Sequence, residues 1–230
     1  MLDSTSAMEI VVFIIVAALI IAGIIFGAIA ARKRREAFGA LVARLGLQFS
    51  PNNDSEIAAR FSFLDRLSQG SNRYAFNVLS GAFESHDVLV FDYHYETYST
   101  DSKGNRETSH HYFSFFILLL EKPFPELTIA REGIFSKVAQ ALGYDDIDFE
   151  SAEFSRKFCV RSKDKKFAYD VCHARMMEYL LANPDLNIEI ENSALALGFS
   201  STLKPEQIEP NLRRLMHLRS LLPQYLFDTA

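Results

Sequence analysis

Asp92, His94 and Glu96 alternate along one short stretch, and His110 and His111 stand where a returning hairpin strand would carry them. Alternate residues of a strand project to one side, so a carboxylate, an imidazole and a partner imidazole can converge there. Two chemistries suit that set. Asp92, His94 and His110 offer oxygen and nitrogen ligands to a divalent metal, whereas His94, His110 and Glu96 offer a general acid and base. Either would make the chain a metal- or His-dependent hydrolase. A strand face near a turn is also polar simply because water covers it, and tyrosines interleave with these histidines. Both readings stand at the level of sequence.

Other chemistries find no support in the spacing. Asp145, Asp146 and Asp148 lack the glycine and the spaced acceptors of a calcium loop and read as a solvated acidic turn. No glycine pattern that cradles phosphate follows a strand, and no Gly-x-Ser-x-Gly nucleophile elbow occurs. Cys159 and Cys172 are the two cysteines, without the paired spacing of a zinc site, and read as plain thiols. Met176 and Met177 sit at core spacing. No cofactor is expected.

The element that must position the histidines is a hairpin turning through Asp101-Ser102-Lys103-Gly104-Asn105. With Gly104 at its centre, Phe91, Tyr93 and Tyr95 sit opposite Ile117, Phe115 and Phe113. The other face then sets Asp92, His94, Glu96 and Tyr98 against Phe116, Ser114, Tyr112 and His110. A one-residue slip would mix the two faces. Residues 113–120 become apolar on both faces, which predicts a central strand covered on each side.

Strand patterns also fall at residues 74–79, 127–131, 157–162, 186–191 and 194–200, with Lys122-Pro123-Phe124-Pro125 expected to break the sheet and Glu191-Asn192-Ser193 to form a turn. Helical spacing falls at residues 38–45, 55–61, 134–142, 173–182 and from Pro205 to Pro223. The predicted class is α+β: an N-terminal transmembrane helix, then a mainly antiparallel sheet with packed helices. Seven strands and a final helix also permit a pleckstrin-homology-like arrangement by analogy.

Residues 10–31 hold no charge, and 22 residues make roughly 33 Å of helix, enough to cross a bilayer. A secretory signal would carry its basic residues before a shorter apolar run, whereas here they follow it. Arg32, Lys33, Arg34 and Arg35 set the topology, with the N-terminus out and the C-terminal domain cytoplasmic. The expected layout is an extracytoplasmic stub (1–9), the transmembrane helix (10–31), a basic amphipathic helix (32–46) and a cytoplasmic α+β domain (47–230). Gly23, Gly27 and Ala31 form a small-residue ridge that suits close pairing with a second membrane helix.

Of 24 basic and 29 acidic residues, setting aside Arg32, Lys33, Arg34 and Arg35 and the acidic Asp3, Glu9 and Glu36 leaves 20 against 26 for the domain. That balance excludes a generic nucleic-acid surface. The partners expected are the lipid bilayer and either a membrane protein or a second copy through the transmembrane helix.

The blocks Asn77-Val78-Leu79-Ser80-Gly81, Phe91-Asp92-Tyr93-His94-Tyr95, Lys122-Pro123-Phe124-Pro125, Asp146-Ile147-Asp148-Phe149-Glu150-Ser151, Phe167-Ala168-Tyr169-Asp170 and Arg175-Met176-Met177-Glu178 span nearly the whole chain. In them the chain resembles an uncharacterised prokaryotic family of single-pass membrane-anchored proteins. The resemblance implies the same layout of helix, basic flank and soluble domain, and it carries no activity. The function expected is a membrane-tethered cytoplasmic interaction or scaffold domain, holding or sensing a protein partner or lipid headgroups at the inner membrane face. The alternative is the hydrolase on the Asp92, His94 and His110 face.

Overall fold

The computed structural model describes residues 4–101, 104–131 and 147–228. The apolar run and the amphipathic stretch after it form one unbroken helix, α1 (Ser4–Leu45). From Val12 onward it is long and apolar enough to cross a membrane, and the large side chains between Val12 and Ile29 are exposed. Gly46 ends it at φ +71, where a side chain would be strained, and the Leu47 N–H returns to the Val42 carbonyl at 3.0 Å.

Among the described residues, six strands form one antiparallel sheet: β1 (Gln48–Ser50), β2 (Ser71–Phe83), β3 (His86–Thr100), β4 (Arg106–Arg131), β5 (Phe158–Ser162) and β6 (Ile188–Gly198). They pair in the order β1-β2-β3-β4-β5, and β6 lies along the other edge of β4. Among the described residues, six further α-helices accompany the sheet: α2 (Ser55–Arg60), α3 (Asp65–Ser68), α4 (Ala152–Lys157), α5 (Lys165–Val171), α6 (Ala174–Ala182) and α7 (Pro205–Leu221). The chain is therefore α+β with an N-terminal apolar helix and an antiparallel sheet, as its patterning predicts. The helix expected at residues 134–142 lies outside the described residues, as do Asp145 and Asp146.

Both faces of the sheet are buried. On one, Val88 and Val90 of β3, Phe116 and Leu118 of β4 and Leu195 and Leu197 of β6 pack with Phe38, Leu41 and Val42 of α1 and Ile208, Leu212 and Leu215 of α7. On the other, Phe91, Tyr93, Phe113, Phe115 and Ile117 meet Phe61, Leu64 and Leu67 around α2 and α3. Residues 113–118 of β4 are thus the doubly covered central strand. Tyr93, fully buried, donates its hydroxyl to the Leu67 carbonyl at 2.7 Å, and burial pushes its pKa up to about 12.

Three local expectations are corrected. The β3–β4 ladder closes at Thr100 and Arg106, which centres the turn on position 103 instead of Gly104. Gly104, at φ +86, is the fourth residue of a loop tied by Asp101 to both the backbone and side chain of Asn105. The pairing moves by two residues, so every side chain keeps its predicted face, but Glu96 now faces His110 directly and His94 faces Tyr112.

Pro123 and Pro125 do not break β4. They fall after its ladder with β3 ends at Leu118 and before its ladder with β5 begins at Leu127, where no partner needs their missing N–H. The β6 ladder also shifts register across Leu119, Phe124 and Leu127. Asn192 likewise makes no turn: at φ +49 it bulges one continuous strand, opposite Phe124. The seven expected strands thereby merge into five, with β1 added, which removes the count behind the pleckstrin-homology analogy.

Candidate functional site

On α1 a stripe at intervals of three and four residues runs through Leu45, Val42, Leu41 and Phe38 and arrives at Arg34. On β3 the same packed face runs Val88, Val90 and arrives at Asp92. The two seams lie together, and where both turn polar the charges meet. Arg34 Nη1 stands 2.7 Å from Asp92 Oδ2, and Arg34 Nη2 donates to the Leu203 carbonyl at 2.8 Å. The Asp92 carboxylate is buried and fully engaged. Asn77 Nδ2 donates to Oδ2 at 2.9 Å and Ser114 Oγ to Oδ1 at 2.7 Å, while the Leu203 N–H donates to that same serine oxygen at 2.8 Å. Asp92 is thus the docking point of the apolar helix α1 and stands apart from the histidines. Arg44 adds an ion pair to Glu209 of α7.

The other predicted residues do converge. One ligand atom each from His94, Glu96 and His110 lies within 4.8 Å of the rest. His94 is buried, its ring stacked 4.5 Å from that of Tyr74 and tilted against that of Tyr112 at 4.8 Å. Its Nδ1 lies 3.0 Å from the Asn72 carbonyl, which can only accept. Nδ1 therefore carries the proton and Nε2 presents a lone pair to His110 Nδ1 at 3.1 Å. Glu96 Oε1 lies 3.5 Å from the same His110 nitrogen. Hydrogen bonds from Asn72 at 2.6 Å and Tyr98 at 2.8 Å hold the Glu96 carboxyl below its ordinary range. His111 points to the opposite face, stacked on Tyr95 and bonded to Thr97.

Sequence spacing does not reveal what aims these groups. β2 carries two asparagines in left-handed backbone, Asn72 at φ +49 and Asn77 at φ +51, each beside a register shift against β3. Each bulge turns its amide onto a β3 carboxylate, Asn77 onto Asp92 and Asn72 onto Glu96. The sequence signal was the pair of Asn residues inside a β-rich run, since Asn tolerates positive φ better than most residues.

The four basic residues divide by environment. Arg34 enters the domain, while Arg32 pairs with Glu36 on the helix surface at 2.8 Å. Ala31, Arg34 and Arg35 line a cavity of about 230 Å³ with Pro51, Asn53, Phe76 and Asn77. Above it, Gly23 and Gly27 have nothing within 4 Å of where a side chain would begin.

A second charged group lies away from the histidines. Glu189 of β6 is buried and accepts from the backbone N–H groups of Asp65 and Arg66 at the start of α3. Burial pushes its carboxyl up to about 8, Asp65 adds to the rise, and Arg66 opposes it. Arg66 donates to the Phe199 carbonyl at 2.8 Å and lies over the Phe113 ring. Further along the same strands, Glu126, Lys163 and Glu191 line an open cleft of about 730 Å³.

No protein-family model matches the chain, and no curated protein matches it in sequence. Among solved structures it is similar to the mycobacterial trehalose monomycolate transport factor A, TtfA, with a TM-score of 0.61 and 14% identity, covering 84% of this chain and 96% of that one. At that identity the likeness is one of fold: an α+β domain of shared architecture over nearly the whole of the neighbour.

Proposed function

We propose that this chain is a membrane-tethered interaction factor whose domain is held in a fixed pose at the inner membrane face. There it presents a protein partner or lipid headgroups to a process in the bilayer, in an accessory role of the kind its structural neighbour's name describes. The observation that carries the reading is the joint between anchor and domain. A passive tether needs only a flexible linker, whereas here the helix runs on without a break, buries Phe38, Leu41 and Val42 in the core and places Arg34 on Asp92. The domain's membrane side is then the end bearing Phe76, Tyr74, Tyr112 and Tyr98, since Ala31 closes the apolar run beside Phe76. Exposed Tyr98 and Tyr112 suit the headgroup layer, where an aromatic ring meets both water and hydrocarbon. Arg32, Lys33, Arg34 and Arg35 give the cytoplasmic orientation, and the Gly23, Gly27 and Ala31 ridge gives a route to a membrane-protein partner or a homodimer.

Photocrosslinking in native membranes tests this reading. A photoreactive residue at Tyr112 is expected to give lipid or discrete protein adducts, whereas one at Glu178, exposed on α6, gives neither. Equal labelling at both positions, or labelling at Tyr112 that survives a flexible insert between Arg35 and Glu36, would overturn it.

A further inference from the structure

We propose that His94, Glu96 and His110 form a binding site for one divalent transition metal, zinc by the chemistry of its donors, with an open fourth position. Two ligands on a tetrahedral zinc with bonds of about 2.0–2.1 Å stand roughly 3.3 Å apart. Here the His94 and His110 nitrogens are 3.1 Å apart, and His110 Nδ1 is 3.5 Å from Glu96 Oε1. The His94–Glu96 edge closes the triangle within 4.8 Å and draws in as the metal binds. His110 only has to shift its proton from Nδ1 to Nε2, and its ring is half exposed and free to do so.

The supporting residue makes this more than a chance cluster. A metal-binding histidine commonly donates its second nitrogen to a carbonyl or carboxylate, which fixes its tautomer and the ring's direction. Asn72 does this for His94 through its backbone carbonyl, and its side-chain amide holds Glu96 at the same time. It reaches both only because it sits at φ +49 in a bulge of β2, a conformation that costs backbone energy and recurs at functional sites. Two of the three ligands are therefore oriented by one strained residue. Two histidines and one carboxylate with a vacant corner are also the donor set of hydrolytic zinc centres, in which the fourth ligand is water. Bound metal would tie β3 to β4 through His94, Glu96 and His110, two residues from the Asp92 joint with α1.

The test uses the full chain in detergent, stripped with a chelator and titrated with zinc chloride by calorimetry and thermal melting. The expected result is one zinc per chain and a raised melting temperature. Asn72→Gly keeps the carbonyl and tolerates the positive φ, and should weaken binding about 10–100-fold. His110→Ala should weaken it more, while His111→Ala, on the other face, leaves it unchanged. The metal-free melts of His110→Ala and the parent chain should agree, because His110 is exposed. Absence of zinc-dependent heat and melting shift in the parent chain, or His110→Ala binding zinc as tightly as the parent, would overturn the proposal.

Discussion

Arg34→Ala is expected to destabilise the domain by about 2–4 kcal/mol, a fall of roughly 10 °C in melting temperature for a domain of this size. The substitution leaves the Asp92 carboxylate buried without its cation. Asn77 and Ser114 still donate to it, which keeps the loss below that of a buried charge stripped of every partner. The Leu203 carbonyl loses its donor in the same step. Adding Asp92→Asn removes the orphaned charge, so the double variant should recover part of the loss, with a coupling of about 1–3 kcal/mol. Urea unfolding of the four proteins of this cycle measures it, and additive losses would mean that Arg34 and Asp92 do not act as a pair.

The second large effect is a pH dependence centred on Glu189. Its folded-state value of about 8 lies above the ordinary 4.5, so between those limits the folded protein holds a proton that the unfolded chain has released. Stability therefore falls as pH rises through this window, by up to about 1.4 kcal/mol per unit and of order 5 kcal/mol in all. Below the window both states are protonated and above it both are ionised, so the slope vanishes. Glu189→Gln keeps an acceptor oxygen for the Asp65 and Arg66 N–H groups and has no charge to form. Its unfolding free energy should be flat from pH 5 to 8 where the parent's declines, and it should be the more stable protein at pH 8. A parent chain whose stability is as flat as that of Glu189→Gln over that range would show that Arg66 holds Glu189 ionised.

The sequence made the class of the fold legible because the period changes along the chain. Three- and four-residue spacing through Phe38, Leu41, Val42 and Leu45 marked the helix that docks, and alternation through Phe91, Tyr93, Phe113 and Phe115 marked the paired strands. The faces survived the wrong hairpin centre because a shift of two residues preserves alternation. Local chemistry misled where tertiary pairing decides. Pro123 and Pro125 resemble breakers, and only the interrupted ladders on both sides explain how one strand carries them. Gln69-Gly70-Ser71-Asn72 resembles a loop, yet Ser71 opens β2 and Asn72 is its first bulge.

The candidate site was half visible for the same reason. His94, Glu96 and His110 share a face by alternation alone, which strand geometry makes readable. Asp92 lies on that face too, but its partner sits on a helix 58 positions earlier. Arg34 continues the Phe38 stripe and Asp92 continues the Val90 face, so each seam was readable by itself. That the two seams lie against each other is set by packing of α1 on the sheet, which no local pattern encodes. Glu189 shows the same limit: it alternates like any solvent-facing strand residue, and only α3 on the opposite side of the sheet buries it.

Distance measurement by pulsed electron spin resonance tests most directly whether anchor and domain are one rigid body in a membrane. Spin labels placed at Ala28→Cys on the anchor and Glu178→Cys on α6 occupy exposed positions, and the native Cys159 and Cys172 are buried and out of reach of the label. In lipid bilayers the joint made by Arg34, Phe38, Leu41 and Val42 predicts a single narrow distance distribution, which broadens in Arg34→Ala. A broad distribution in the parent chain, unchanged by that substitution, would contradict a fixed domain and leave the helix as a simple tether.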